Sequence, residues 1–223
     1  MKKENNFTGS FAGMETSIDN KLFQDALHFL KELISIPSYS KEEAETANLI
    51  ETFFTDRNIY SKRELNNVWA ANKYFDKTKP TVLLNSHHDT VKPNRGYTND
   101  PFTPSEDQGK LYGLGSNDAG GSLVALLFVF VHFYEVTDLP FNLVIAATAE
   151  EEISGHNGIE YLLPFLPGIN CGIVGEPTLM KMAVAEKGLL VLDCISTGVA
   201  GHAARDEGVN SIYLALQDIE WFR

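Results

Sequence analysis

The apolar positions of this chain follow two spacings, and the switches between them lay out its elements. Over residues 22–34, Phe23, Ala26, Leu27, Leu30, Leu33 and Ile34 recur at the spacing of one helix face, and Pro37 ends the pattern. Ser40 with Glu43 has the form of a capping box, and behind it Ala44, Ala47, Ile50 and Phe53 mark a second amphipathic helix. Residues 68–74 and 81–85 read as extended, and the consecutive Val82, Leu83 and Leu84 suit a strand covered on both faces. Residues 120–135 predict a buried helix, 143–148 a strand, 158–163 a helix and 172–174 a further strand.

Strands alternating with helices predict an α/β fold with a mostly parallel sheet flanked by helices, its working residues gathered at strand ends. His87 and Asp89 follow one predicted strand, Glu151 and Glu152 a second, and Glu176 a third. Past Glu176 the pattern changes. Residues 182–186 and 189–196 predict a hairpin around Lys187-Gly188, a glycine-rich turn surrounds His202, and Ile212, Ala215, Leu216, Ile219 and Phe222 line one face of a last helix. The expected organisation is a polar tail over 1–18, a main domain over 19–181, and the first part of a smaller α+β domain over 182–223, because the chain stops at Arg223 without a glycine or proline terminator.

Composition narrows the classes of function. Lys and Arg number 18 against 30 Asp and Glu, for a net charge of -12, which disfavours nucleic acid as a partner. Carboxylates gathered around divalent cations would account for part of that excess. Cys171 and Cys194 lie in apolar runs without C-x-x-C spacing, so neither a disulfide framework nor a thiolate metal site is expected, and both read as buried fillers. The opening residues carry two lysines but no apolar stretch of signal-peptide length, so the expected location is the cytoplasm. The longest apolar run, 123–134, falls short of the ~20 residues of a membrane span and reads as a core helix.

Several short segments carry chemistry. In Ser86-His87-His88-Asp89, His87 and Asp89 share a direction on an extended chain, while His88 points elsewhere; a surface turn explains the same letters. Asp118 stands among glycines at the start of the buried helix, where it reads as a metal bridge or, more simply, as an N-cap. A dinucleotide loop fits poorly, since Asp118 would set a negative charge where pyrophosphate sits. Glu150, Glu151 and Glu152 follow an apolar strand, and three adjacent acids there form either a solvated loop or a cluster compensated by a cation. In the second case one glutamate binds metal while its neighbour acts as general base. Gly175-Glu176-Pro177 ends another strand with a carboxylate, and Gly201-His202-Ala203 presents a histidine among small residues.

In this combination and order the segments resemble the zinc exopeptidase and deacylase family that contains aminoacylase, succinyl-diaminopimelate desuccinylase and glutamate carboxypeptidase. Asp100-Pro-Phe, Gly109-Lys-Leu-Tyr-Gly-Leu-Gly, Gly175-Glu-Pro-Thr and Glu186-Lys-Gly look most like the branch that cleaves N-acetylornithine in arginine biosynthesis, and the likeness runs over about residues 20–223. The resemblance implies a zinc-exopeptidase-like catalytic domain followed by part of a lid and dimerisation domain, a homodimer, a small-molecule N-acyl amino acid as substrate, and two divalent metal ions, Zn2+ or else Co2+. It makes His87 and Glu176 ligands of one ion, Asp118 the bridge, and Glu152 a ligand of the second. Asp89 would orient His87, Glu151 would be the general base, and His202 would stabilise the oxyanion. The family's C-terminal histidine of the second site lies beyond this chain, so one firm and one weak metal site are expected. The implied reaction is amide hydrolysis; the alternatives are a dipeptidase or aminopeptidase on the same scaffold, or an inactive metal-binding remnant.

Overall fold

The computed structural model describes residues 20–185, 187–188, 190–202, 204–205 and 207–222. The predicted polar tail, Glu186 of the Glu-Lys-Gly segment, Leu189 and Ala203 lie outside the described residues. The chain divides into two units, the first running to Met180 and the second from Lys181.

In the first unit, α1 (Asn20–Ile34) and α2 (Ala44–Thr55) turn Phe29, Leu33, Ile50, Phe53 and Phe54 inward. A hairpin of β1 (Ser61–Glu64) and β2 (Asn67–Ala71) follows, then β3 (Thr81–His87) and a small two-stranded sheet of β4 (Ser105–Asp107) and β5 (Lys110–Tyr112). After them come α3 (Gly121–Phe133), β6 (Asn142–Thr148), the short α4 (Ile159–Leu162) and β7 (Cys171–Val174). The main sheet has the order β1-β2-β6-β3-β7. Its β6-β3-β7 part is parallel, while β2 joins β6, and β1 joins β2, antiparallel. The α/β class is as the pattern predicts, and the sheet as a whole is mixed.

Alternation along β6 decides what covers each face. Leu143, Ile145 and Ala147 face a core built with α1, α2 and α3, whereas Val144 and Ala146 meet Trp69, Leu83, Leu162 and Leu166 on the other side. Every residue of β6 is therefore buried, as a central strand between two layers requires. Residues 116–133 are long and apolar enough to cross a membrane by length and composition alone, yet Leu123, Val124, Leu127, Phe128 and Phe130 are buried in this core.

Three expectations are corrected. Ser40 and Glu43 form no capping box: no side chain caps α2, the Ser40 hydroxyl donates to Asp89 Oδ2 at 2.7 Å, and the Glu43 carboxylate accepts from other segments, so tertiary partners override the local pattern. Cys171 and Cys194 are exposed, not buried. Cys171 lies on β7, the edge strand, all of which is exposed among the described residues. Among the described residues of the second unit, 182–196 hold no strand and the pairing present is an isolated bridge between Val199 and Val209 ahead of α5 (Ser211–Phe222). Met182, Val184, Leu190, Val191 and Ile195 are exposed.

The core placement of α3 is testable. Leu127→Ala should destabilise the protein by about 2–5 kcal/mol, the cost of a large-to-small change at a fully buried site. Val129→Ala, on the exposed face of the same helix, should stay within about 0.5 kcal/mol. Urea denaturation of both variants checks this, and equal effects would contradict the packing.

Candidate metal centre

Parallel pairing sets the site. β3 runs in register with β6 from Thr81 opposite Asn142 to His87 opposite Thr148, and with β7 as far as Asn85 opposite Val174. The C-terminal ends of the three strands therefore deliver His87, the 150–152 acids and Glu176 to one place, the usual working edge of such a sheet.

His87 is buried at 1% exposure, and its two ring nitrogens have separate surroundings. Nδ1 lies 2.9 Å from the carbonyl oxygen of Asp89; a carbonyl only accepts, so Nδ1 carries the hydrogen. Nε2 then faces Asp118 Oδ1 at 3.3 Å, Glu151 Oε2 at 3.7 Å and Glu176 Oε2 at 3.9 Å. Asp89 is placed beside His87, as expected, but holds it through its backbone oxygen, with its carboxylate 3.3 Å from Nδ1. That carboxylate does something the sequence does not reveal. It accepts the N–H of Glu151 on Oδ1 and the N–H of Glu152 on Oδ2, at 3.1 and 3.2 Å.

The three acids after β6 are not equivalent. Glu150 has a left-handed backbone (φ 55°, ψ 22°), is buried at 5% exposure, and accepts from Asn157 Nδ2 at 2.8 Å. It folds under the chain, while Glu151 and Glu152 leave a single helical turn toward His87.

Asp118 has an extended backbone (φ -116°, ψ 102°), its peptide bond to Ala119 is cis, and its side chain caps no helix, so the capping role does not hold. Glycines let this loop lie close to the strand exits: Gly115 has φ 74°, and a Cβ there would meet Thr90. Glu176 is held by its neighbour, since Ser86 Oγ donates to the Gly175 carbonyl and the Gly175 N–H donates to Asn85 O, both at 2.8 Å.

Charge is concentrated here. Burial opposes protonation of His87, yet the hydrogen bond and charge of Asp89, with Glu176 and Glu151, raise its pKa to about 9. Burial would raise Asp89, but bonds from His87, Ser40 and the Glu151 N–H hold it below the usual carboxylate range. Burial and the charge of Asp118 push Glu152 upward, and burial followed by the charges of Glu151 and Asp118, against His87, pushes Glu176 upward. Among the described residues no lysine or arginine forms an ion pair with Asp118, Glu151, Glu152 or Glu176.

Two sets of ligand atoms, His87 with Asp118 and Glu152, and His87 with Glu151 and Glu176, each lie within 4.8 Å of one another. One imidazole nitrogen amid carboxylate oxygens that, among the described residues, have no lysine or arginine partner fits a divalent ion of the zinc, cobalt or manganese kind. All five residues belong to the first unit. His202 belongs to the second and is exposed; its Nδ1 accepts the Ala204 N–H at 3.2 Å, which leaves Nε2 as its free donor.

His88, which the sequence sets aside, is a structural partner. Its Nε2 donates to Asn66 O at 2.9 Å, and because burial keeps the ring neutral its Nδ1 is the acceptor facing Thr46 Oγ1 at 2.8 Å. Burial depresses its pKa to about 4. The unfolded chain takes up this proton from about pH 6.5 downward, so stability is full above that pH and is lost as the pH falls toward 4, by about 3 kcal/mol in all. His88→Asn should remove this component. Urea denaturation at pH 7, 5.5 and 4.5 should show the variant losing less stability with acid than the parent, and parallel curves would contradict the assignment.

Residues 83–209 match the model of peptidase family M20/M25/M40. The chain is 32% identical over 206 residues to acetylornithine deacetylase of Proteus mirabilis (strain HI4320), covering 86% of this chain and 53% of that protein. It therefore spans about half the length of the curated relatives it matches. Among solved structures, a family M20 metallo-carboxypeptidase from Sulfolobus solfataricus aligns with a TM-score of 0.58 at 23% identity, over 68% of this chain and 37% of that one. A dinuclear metal-binding peptidase of family M20 from Bacillus subtilis aligns with a TM-score of 0.54 at 19% identity, over 70% of this chain and 43% of that one. With more than half of its residues matched by the family model, and with the family's fold, this chain belongs to peptidase family M20/M25/M40.

Proposed function

We propose that the protein is a metal-dependent hydrolase that cleaves the amide of an N-acyl amino acid, N-acetylornithine or N-succinylornithine being the favoured substrates. The observation that carries this reading is His87 Nε2 facing three carboxylates at the ends of parallel strands. Similarity to the acetylornithine deacetylase of Proteus mirabilis supports this choice of substrate.

His87, Asp118 and Glu176 would hold one divalent ion, zinc by preference, and Asp118 with Glu152 a second. When bound, such ions polarise the scissile carbonyl and make water a better acid. The rest is done by side chains. Glu151, half exposed at the mouth, takes the proton of the attacking water and returns it to the leaving nitrogen. Asp89 holds a hydrogen on His87 Nδ1, which leaves Nε2 as the nitrogen that would take the metal, and holds the backbone of the base. His202 would donate from Nε2 to the tetrahedral oxygen, a contribution of ~3 kcal/mol, within a homodimer formed through residues 182–223. Family membership also brings peptides into view as substrates, so dipeptides belong in the same test.

The metal-loaded protein should release amine from N-acetylornithine or N-succinylornithine. Glu151→Gln should lower kcat roughly 10²- to 10⁴-fold with bound metal unchanged by elemental analysis. Asp118→Asn should lower the metal content itself. A metal-loaded protein that hydrolyses only dipeptides would move the assignment to the peptidase side, and one that cleaves none of these amides rejects it.

A further inference from the structure

The turn bearing Glu151 and Glu152 has an unusual backbone. Glu150 and Ser154 both hold left-handed φ values, 55° and 49°, which residues other than glycine keep only where their surroundings over-determine them. Asp89 takes two of the turn's N–H groups, those of Glu151 and Glu152. The third, that of Glu150, is taken at 3.2 Å by Glu43 Oε1, from a residue 107 positions away.

Glu43 is a strange occupant for its place. It stands at the N-cap of α2, is buried at 1% exposure, and caps nothing in its own helix. Oε1 also accepts the Lys41 N–H at 2.5 Å, and Oε2 accepts Asn66 Nδ2 at 2.9 Å. The carboxylate thus joins the start of α2 and the β1-β2 hairpin to the turn. On the far side Glu150 is pinned by Asn157 Nδ2 at 2.8 Å, its carbonyl accepts the Gly155 N–H at 2.8 Å, and its side chain fills the space a Cβ on Gly155 would need. Two buried carboxylates on different segments therefore grip three successive N–H groups.

We infer that Glu43 is a positioning residue of the metal centre: by holding the Glu150 N–H it fixes, together with Asp89, the directions in which Glu151 and Glu152 leave the backbone. This rests on the reading of Glu151 as base and Glu152 as ligand. Those side chains are adjacent in sequence but have different work, so a small rotation of the turn misplaces both while leaving each chemically intact.

The test loads Co2+ into the parent protein and the Glu43→Ala, Glu43→Asp and Glu43→Gln variants, and records visible absorption, kcat and KM on N-acetylornithine, and thermal stability. Withdrawing the carboxylate in Glu43→Ala and Glu43→Asp should shift the Co2+ bands and lower kcat roughly ten- to hundredfold, with KM changed less than about threefold. Glu43→Gln keeps an acceptor oxygen for the Glu150 N–H and should stay closer to the parent in both readouts. Glu43→Asp, the milder change, carries the comparison if the alanine variant does not fold. A folded Glu43→Ala or Glu43→Asp variant with the parent's Co2+ spectrum and kcat overturns the inference, whatever its melting temperature. Should the parent cleave no acyl amino acid, the proposed function fails while the Co2+ spectra still decide the role of Glu43.

Discussion

A carboxylate buried away from water is tolerated only when its oxygens are occupied, and the first unit is organised around one that meets that condition. Asp89 receives the Ser40 hydroxyl and the N–H groups of Glu151 and Glu152, and lies against His87 Nδ1. Those groups come from the segment before α2, from the turn after β6 and from the end of β3. The turn after β6 is brought within reach by the parallel register of β3 with β6, and the segment before α2 by the bridge between Tyr39 and Thr90. Remove the buried anion and three segments lose a common anchor, with His87 losing the charge that stabilises its imidazolium form.

Beneath that anchor runs a layer of polar side chains that is neither core nor surface. Ser38, Thr46 and His88 form a chain of hydrogen bonds ending at the Asn66 carbonyl. Asn67 ties Ala149 to the loop at Asn157. Each donor in this layer finds an acceptor, which gives a network of this kind a single arrangement. Apolar packing by α1, α2 and α3 closes one face of the sheet without specifying directions; the polar layer supplies them.

How much of this was legible in the sequence depends on the range of the contacts. That His87, Asp118, Glu151, Glu152 and Glu176 come together was readable because each follows a strand or opens a helix whose apolar pattern is strong. β1 and the β4-β5 pair escaped, because Ser-Lys-Arg-Glu and two three-residue strands carry no apolar alternation. Ser40 and Glu43 were misread as a local cap, since nothing nearby in sequence shows partners 49 and 107 residues away. Cys171 was misplaced for a related reason: an apolar run predicts a strand, but its exposure depends on where that strand falls in the sheet order.

The shifted titration of His87, Glu152 and Glu176 bears on more than charge. Without a cation His87 keeps a proton that it would otherwise lose near neutrality, and a metal binding at Nε2 would have to displace it, against carboxylates whose pKa values are pushed upward at Glu152 and Glu176. Occupancy and acidity are then two faces of one equilibrium. The centre acts as an exchanger in which uptake of an ion is met by an outward flow of hydrogen ions, so its hold on metal weakens as its surroundings become more acidic.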